Sequence, residues 1–505
     1  MSIPFKKDPA EFNQSLLFPS NIFDLLPSDH ECYIYEDIFK QIDTSSIEKK
    51  YSVLGQHAYH PRLNIGILIY AYSHGIFSSR QIKKRCQEDL GFMFISHLNC
   101  PDFRVLSDFR KDHHDYFKAC FKQSVLLAME AGMTSMGHVS LDGSKFKANT
   151  SKHKAMSYGR LKEREKELTE EIEALLKKAD QCDKEEDAAY QDKTGYEIPE
   201  DLKIKEQRLH KIKAAKEALE QREQALHPGQ KIEEKKQISF ADKEARIMGK
   251  KGEFNYSYNG QITVDQDHQI IVGQHITQNA NDKQEVKPAL EEIQQTTGKL
   301  PEKMSLDNGY LSGGNLEALS KTDIDAYIAT GKGEAGSEVF SCDNREQGIK
   351  KSQFTYHEEK DCFICPAGND LALKSSGSDG KRIYQAKSTD CDDCPYRGRC
   401  CQSKTGEPRK ITTDDQEPLR QAMADKMNQE ASRKIYKRRK TIVEPVFGQI
   451  KGNLGFRGFS VRGIKRAGGE FSLLCATHNI KKIVQAIKQE MVYLKKGRLI
   501  AQVAY

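Results

Sequence analysis

The chain has 505 residues, with 79 Lys and Arg against 73 Asp and Glu, a formal net charge of +6, and 37% hydrophobic residues. That length allows two to four domains with a large core, and a charge so nearly balanced makes local clusters matter more than the total. The longest apolar runs, such as IGILIYAY from Ile65 to Tyr72, are too short to span a bilayer, and MSIPFKKDPAEF holds no apolar signal region, so a cytoplasmic protein with no membrane partner is expected.

Residues 1–135 read as mostly helical. HPRLNIGILIYAYSHG has Pro61 near its start and Gly75 after its end, the usual helix punctuation. FSSRQIKKRCQEDLG follows, with Ser78 or Ser79 as N-cap and Arg80, Lys83, Lys84 and Arg85 along the helix. A short helix, a Gly-containing turn and a basic second helix form a helix-turn-helix-like pattern. This predicts a DNA-binding N-terminal domain.

Residues 136–330 predict a mixed α/β core. GHVSLDGSKF reads as a strand, GQITVDQDHQIIVGQHI as two more, and KMSLD and IDAYIAT as later strands between helices. NDKQEVKPALEEIQQTTG reads as a helix capped by Asp282. An insert at 157–230 interrupts this core. Between Arg160 and Leu226 it holds 15 basic and 19 acidic residues. Leu161, Leu168, Ile172, Leu175 and Ala179 mark one apolar seam, and Leu209, Ile212, Leu219 and Leu226 another, which predicts an antiparallel helical hairpin with a solvated surface. Residues 331–413 form a Cys-rich insert, expected to be a small β subdomain, and 414–505 return to helices and the rest of the core.

Two predicted strands end in an acid followed closely by Gly: Asp142 in SLDGSKF and Asp307 in SLDNGY. A strand-end Asp is usually a turn former, yet two on one sheet can present carboxylates at its rim. A third acid stands out by its setting. From Arg433 to Arg466 there are eleven Lys or Arg and one acidic residue, Glu444. Three carboxylates suit a pair of Mg²⁺ or Mn²⁺ ions for phosphoryl transfer on a polyanion, with the bases holding phosphates and the acids holding metal. Tyr436, Lys440 and Lys451 fall on the helical face of Glu444, with Pro445 as a point of restart.

Seven of the 13 Cys lie between Cys342 and Cys401. Two C-x2-C pairs, Cys362 with Cys365 and Cys391 with Cys394, predict one structural Zn²⁺. Lys381, Arg382, Arg397, Arg399 and Lys404 suggest DNA contact as another role for this insert. Reduced thiols without metal are the plain alternative.

Taken together these segments resemble a DDE transposase of a bacterial insertion sequence with a retroviral-integrase-like, RNase H-like core. SLDGSKFKAN resembles the first-Asp segment, YSYNGQITVD and QNANDKQ the strands and link after it, and SLDNGYLS the second-Asp segment. IYKRRKTIVEPVFGQIK resembles the Glu segment, whose pattern is Tyr-x2-Arg-x3-Glu-x6-Lys. Tyr436, Arg439, Glu444 and Lys451 fill it, except that four residues separate Arg439 from Glu444, so either Arg439 or Lys440 takes the basic role. The resemblance implies binding of terminal inverted repeats, metal-dependent strand cleavage, strand transfer into target DNA, and a homodimeric synapse. The chain has no Trp, which some relatives use to hold a flipped base, so a DNA-hairpin route is not expected. Two other readings fit the same residues: a catalytically inactive DNA-binding repressor, and a nuclease of the same fold.

Overall fold

The computed structural model describes residues 21–51, 58–151, 155–187, 200–249, 253–330, 348–349, 351–377, 380–403, 405–495 and 498–501. Side chains at 178–187, 200–202, 352, 494–495 and 498–501 are not described. Cys342, Lys404, the side chain of Ala179 and most of the turn between the hairpin helices therefore lie outside the described residues. Met1–Phe109 with Ile480–Tyr505 forms one unit and Arg110–Asn479 another.

The first unit holds α1 (Glu31–Phe39), α2 (Ser45–Glu48), α3 (Pro61–Ser73), α4 (Ser79–Glu88), α5 (Leu90–Ile95) and most of α6 (Phe103–Asp112). Pro61 opens α3, where a missing N–H costs nothing. Gly75 follows its end at φ +74°, a left-handed conformation that glycine adopts without strain. Every α3 residue except Arg62 and Leu63 is buried, so this helix is the core of the unit. Tyr35 and Phe92 pack edge-on against Tyr70 at 5.2 and 4.9 Å. By contrast α4 has two faces: Ile82 and Cys86 point in, while Arg80, Lys84 and Arg85 are exposed.

The helix α7 (His114–Glu130) belongs to the second unit, so the boundary falls at Phe109 rather than near 135. The reason is packing: α7 lies on the helix Val286–Thr297, where Lys118 pairs with Glu292.

The main sheet of the second unit comprises β1 (His138–Lys147), β4 (Arg246–Met248), β5 (Asn255–Asp265), β6 (Ile271–Thr277), β7 (Lys303–Leu306) and β8 (Asp325–Ile328). Its order is β5-β1-β7-β8, with β6 and the short β4 both on the outer edge of β5. The strand β5 runs antiparallel to β1, β4 and β6, whereas β1, β7 and β8 are parallel. Ten of the eleven β5 residues are buried, as expected of a strand covered on both faces. The helices α10 (Val286–Thr297) and α11 (Gly313–Ser320) connect β6 to β7 and β7 to β8.

The charged hairpin is α8 (Tyr158–Asp187) and α9 (Glu200–Leu226), closed at its base by β2 (Ala155–Ser157) pairing with β3 (Gln237–Ser239). Leu161, Leu168, Ile212, Ala215, Leu219 and Ile238 form its buried seam. Leu226, expected in that seam, ends α9 and is 60% exposed. The Cys-rich insert contains a second, fully antiparallel sheet, ordered β13-β12-β11-β10-β9: β9 (Thr355–His357), β10 (Cys362–Ile364), β11 (Asp370–Ser376), β12 (Lys381–Ala386) and β13 (Lys410–Asp414). The short α12 (Ser388–Asp392) and α13 (Arg397–Cys400) bridge β12 to β13. Helices α14 (Glu417–Asn428), α15 (Glu430–Lys437), α16 (Arg439–Ile442), α17 (Glu444–Gly448) and α18 (Ile464–Lys488) follow, and β14 (Val492–Lys495) pairs with β15 (Arg498–Ala501). Among the described residues no helix is long and apolar enough to cross a membrane.

The β1–β7 junction carries a titratable group. The His138 imidazole is buried and lies 2.5 Å from the Ser305 hydroxyl. Burial, then the charges of Arg438 and Lys303, push its pKa down to about 4, against weaker opposing effects of Gln266 and Asp325. A depressed histidine is neutral in the fold, so its contribution is present above the ordinary pKa and lost as pH falls towards 4. Acidification from pH 6.5 to 5 should therefore destabilise the native protein by roughly 2 kcal/mol more than a His138→Gln variant. Urea unfolding at both pH values checks this.

Candidate active site

Parallel pairing of β1 with β7 ends at Leu141 and Leu306. Asp142 and Asp307 are the next residue on each strand, so the sheet itself sets the two carboxylates side by side. The chain leaves β7 in a single 3-10 turn, Asn308–Tyr310, capped by the Asp307 carboxylate, which accepts the Gly309 N–H at 2.8 Å. Asp142 accepts the Gly143 N–H at 2.8 Å.

Glu444 arrives from a broken helical run. Pro445 occupies the first turn of α17, where it needs no N–H partner. The chain therefore restarts at α17 and then widens into a π-helical turn, Gln449–Asn453. A single face carrying Tyr436, Lys440, Glu444 and Lys451 does not form. The run is fixed instead by aromatic packing: the Phe146 ring of β1 lies 6.4, 5.8, 6.0 and 5.5 Å from Phe447, Phe456, Phe459 and Phe471. Gly260 makes room for this cluster, since a Cβ there would come within 2.8 Å of the Phe471 ring.

Arg439 links the carboxylates. Its guanidinium reaches Asp142 Oδ2 and Glu444 Oε1, each at 3.4 Å, and its side chain is only 12% exposed. Tyr436 bonds to Arg439, and burial raises the phenol's pKa. Burial also pushes Asp142 up to about 6, opposed by Arg439 and reinforced by Asp307. Of the two bases that could fill the basic place in the pattern, Arg439 reaches Asp142 and Glu444, and Lys440 is exposed. Lys451 turns inward. It donates to Ser144 Oγ at 2.5 Å and the Lys145 carbonyl at 2.7 Å, and lies 4.3 Å over the Phe146 ring. Burial pulls its pKa down to about 8.

A fourth carboxylate joins this region. Asp282 was expected to cap a helix, but α10 begins at Val286 behind Glu285. Asp282 Oδ1 instead accepts N–H groups from Asn259 at 2.7 Å and Gln261 at 2.6 Å, both on β5, with the Lys145 ammonium at 3.8 Å. Gln261 also accepts the hydroxyl proton of the buried Tyr310. A short polar residue in QNANDKQ carried the signal, and its cap-like spacing hid it.

Glycine keeps the space between these acids open. A Cβ on Gly309 would stand 2.9 Å from Asp307 Oδ1 and 3.5 Å from Asp282 Oδ2. A Cβ on Gly143 would stand 2.2 Å from Gln261 Nε2 and 2.9 Å from Asp282 Oδ1. Gly143→Ala should therefore cost about 1–3 kcal/mol of stability and displace the Asp282 network. A thermal melt showing no loss would contradict this packing. Among the described residues, no three His, Cys, Asp or Glu side chains gather closely enough to form a ready metal site.

Comparison with known families decides the lineage. A family model described as "Transposase DDE domain" matches residues 364–484, and one described as "Transposase domain (DUF772)" matches residues 20–112. Residues 364–484 thus carry a DDE transposase domain and residues 20–112 a transposase domain. The first match contains Arg439, Glu444 and Lys451 but neither Asp142 nor Asp307. The second covers the helices α1 to α6. No curated protein and no solved structure matches the chain.

The basic helix α4 uses part of its charge internally. The Arg80 guanidinium lies 4.9 Å over the Phe103 ring, Lys83 pairs with Asp102 at 2.9 Å, and Lys84 stands 3.8 Å from Glu88 at its exposed end. In the Cys-rich insert, Cys365, Cys391 and Cys394 line one small cavity together with Cys400 and Cys401, and Cys362 is not among them.

Proposed function

We propose that this protein is a transposase that binds the inverted repeats at the ends of an insertion sequence and catalyses metal-dependent strand cleavage and strand transfer. One observation carries the reading: neighbouring parallel strands deliver Asp142 and Asp307 side by side, and Arg439 joins Asp142 to Glu444. The sheet order supports an RNase H-like core, since an antiparallel three-strand meander, β1-β5-β6 once the hairpin insert and β4 are set aside, leads to two further strands parallel to β1.

The donor set fits a hard divalent cation such as Mg²⁺ or Mn²⁺. Asp142, Asp307 and Glu444 offer carboxylate oxygens, and the missing Cβ at Gly309 leaves room beside Asp307. When bound, such ions activate the attacking oxygen and stabilise the leaving one. An oxygen of water or of a 3′-hydroxyl bonds to phosphorus, the bond to the departing 3′-oxygen breaks, and that oxygen takes up a proton.

The protein's own groups prepare this chemistry. Arg439 holds Asp142 and Glu444 towards one another and neutralises their charge before ions arrive. Glu444, whose side chain is 49% exposed, is free to exchange that contact for an ion. Asn259 and Gln261 fix Asp282, which in turn orients Lys145 beside the aspartates. The phosphate-facing bases are the exposed Lys437, Arg438 and Lys440 rather than Arg439 and Lys451, which face inward. In the N-terminal unit, Arg80, Lys83 and Lys84 of α4 form the DNA-contacting face, and two copies bring two ends together.

The test is incubation of the full-length protein with duplex DNA carrying the element ends, with and without Mg²⁺ or Mn²⁺. Ion-dependent nicking at the end of the repeat is expected. End binding without any cutting would favour the repressor, and cutting without preference for ends would favour a nuclease.

A further inference from the structure

We propose that the Cys-rich insert binds one structural zinc ion through Cys365, Cys391, Cys394 and one of the adjacent pair Cys400 and Cys401, with Cys362 outside the site. The pairing of thiols suggested by the C-x2-C spacing is thus changed by the fold. In β10, Phe363 points into the core of the insert with Tyr356 and Tyr384. Alternation along a strand sends Cys362 to the opposite face. There it lies off the cavity that the other cysteines line.

Cys365 lies just past the end of β10 and faces the other thiols. Five cysteines then surround one cavity of about 20 Å³, space for a single water-sized particle. Backbone N–H groups point at two of these sulfurs. The chain turns tightly after Cys365: its carbonyl accepts the Gly368 N–H at 2.8 Å, and its own N–H donates to the Asn369 carbonyl at 2.9 Å. This turn aims the Asn369 N–H at Cys365 Sγ, 3.3 Å away. Burial raises the Cys391 thiol's pKa, opposed by a hydrogen bond from the Arg409 backbone, and Cys391 interacts directly with Cys401 and Cys394.

The insert also needs a staple. Its core is nine buried residues under a five-stranded sheet, little for an independent subdomain. The thiols line the cavity without converging on one point, so the ion would draw the segment Cys391–Cys401 inward. Zinc with four sulfur ligands closes such a site and contributes folding energy. This inference is independent of the DNA chemistry.

The experiment measures metal content of the full-length protein, purified under reducing, chelator-free conditions. About one zinc per chain is expected, with X-ray absorption showing sulfur ligands at about 2.3 Å. Cys362→Ser should keep the zinc, and Cys391→Ser should lose it. Metal-free wild-type protein would overturn the proposal, as would equal zinc loss in both variants. If Cys391→Ser fails to fold, mercurial titration of wild-type thiols supplies the second measurement. Release of one zinc as the thiols react supports the site, and no release overturns it.

Discussion

Asp142→Asn, Asp307→Asn and Glu444→Gln should each lower strand cleavage by more than about a hundred-fold while leaving binding to element ends nearly unchanged. Loss of a partner in the outer shell of a metal costs about 10–100-fold in activity, and loss of a direct ligand costs more. The amide variants keep the shape of each carboxylate. In Asp142→Asn the amide oxygen can still accept the Gly143 N–H that the native carboxylate accepts at 2.8 Å, so a lost activity reports charge and ligation rather than collapse of the strand. Binding survives because phosphate contacts come from bases elsewhere, and such contacts position DNA without performing chemistry. Gel-shift and cleavage assays on the same preparations separate the two. A single variant that cuts at near wild-type rate would remove that residue from the metal-binding set.

The second large effect is on stability. Glu470 is fully buried in α18, with Arg110 at 3.7 Å. Its two oxygens accept the Ser460 N–H at 2.7 Å and the Ser460 hydroxyl at 2.6 Å. Those bonds fix the loop that carries Phe456 and Phe459 onto Phe146, and so fix the seating of the Glu444 segment. Removing one member of a buried charged pair leaves the other desolvated without its counter-charge, at a cost of about 3–5 kcal/mol. Glu470→Ala should therefore lower the stability of the second unit by that amount, and it should lower cleavage at temperatures where the wild type is active. Chemical denaturation checks it. A loss below about 1 kcal/mol would mean that the pair contributes little beyond packing.

The acids of the candidate site could be singled out in the sequence because they sit where simple patterns point. Asp142 and Asp307 each follow an alternating strand and precede Gly; Asp307 lies just past β7, whereas β1 runs on to Lys147, so that Asp142 sits within the strand, one residue past its pairing with β7. Glu444 was conspicuous as the lone acid among eleven bases. What stayed hidden depends on direction rather than on residue type. Arg439 and Lys440 look interchangeable in sequence, yet they are successive residues of α16 and so face different sides, Arg439 towards Asp142 and Lys440 to solvent. Lys451 read as a phosphate contact but turns onto Phe146, where a ring face and two oxygens hold its ammonium. Asp282 carries the cap-like spacing of a turn, and only the packing of β5 beneath it reveals its partners. Cys362 matches a metal motif, and only strand alternation turns it away from the cavity that Cys365, Cys391 and Cys394 line.

The central claim is that Asp142, Asp307 and Glu444 hold the ions that drive strand cleavage. Sulfur in place of carboxylate oxygen tests ligation itself. Mg²⁺ requires hard oxygen donors, whereas Mn²⁺ binds softer ligands more readily. Asp307→Cys should lose cleavage in Mg²⁺ and recover part of it in Mn²⁺, shifting the Mn²⁺-to-Mg²⁺ rate ratio by about tenfold or more relative to wild type. The same ratio in variant and wild type would contradict metal ligation at Asp307.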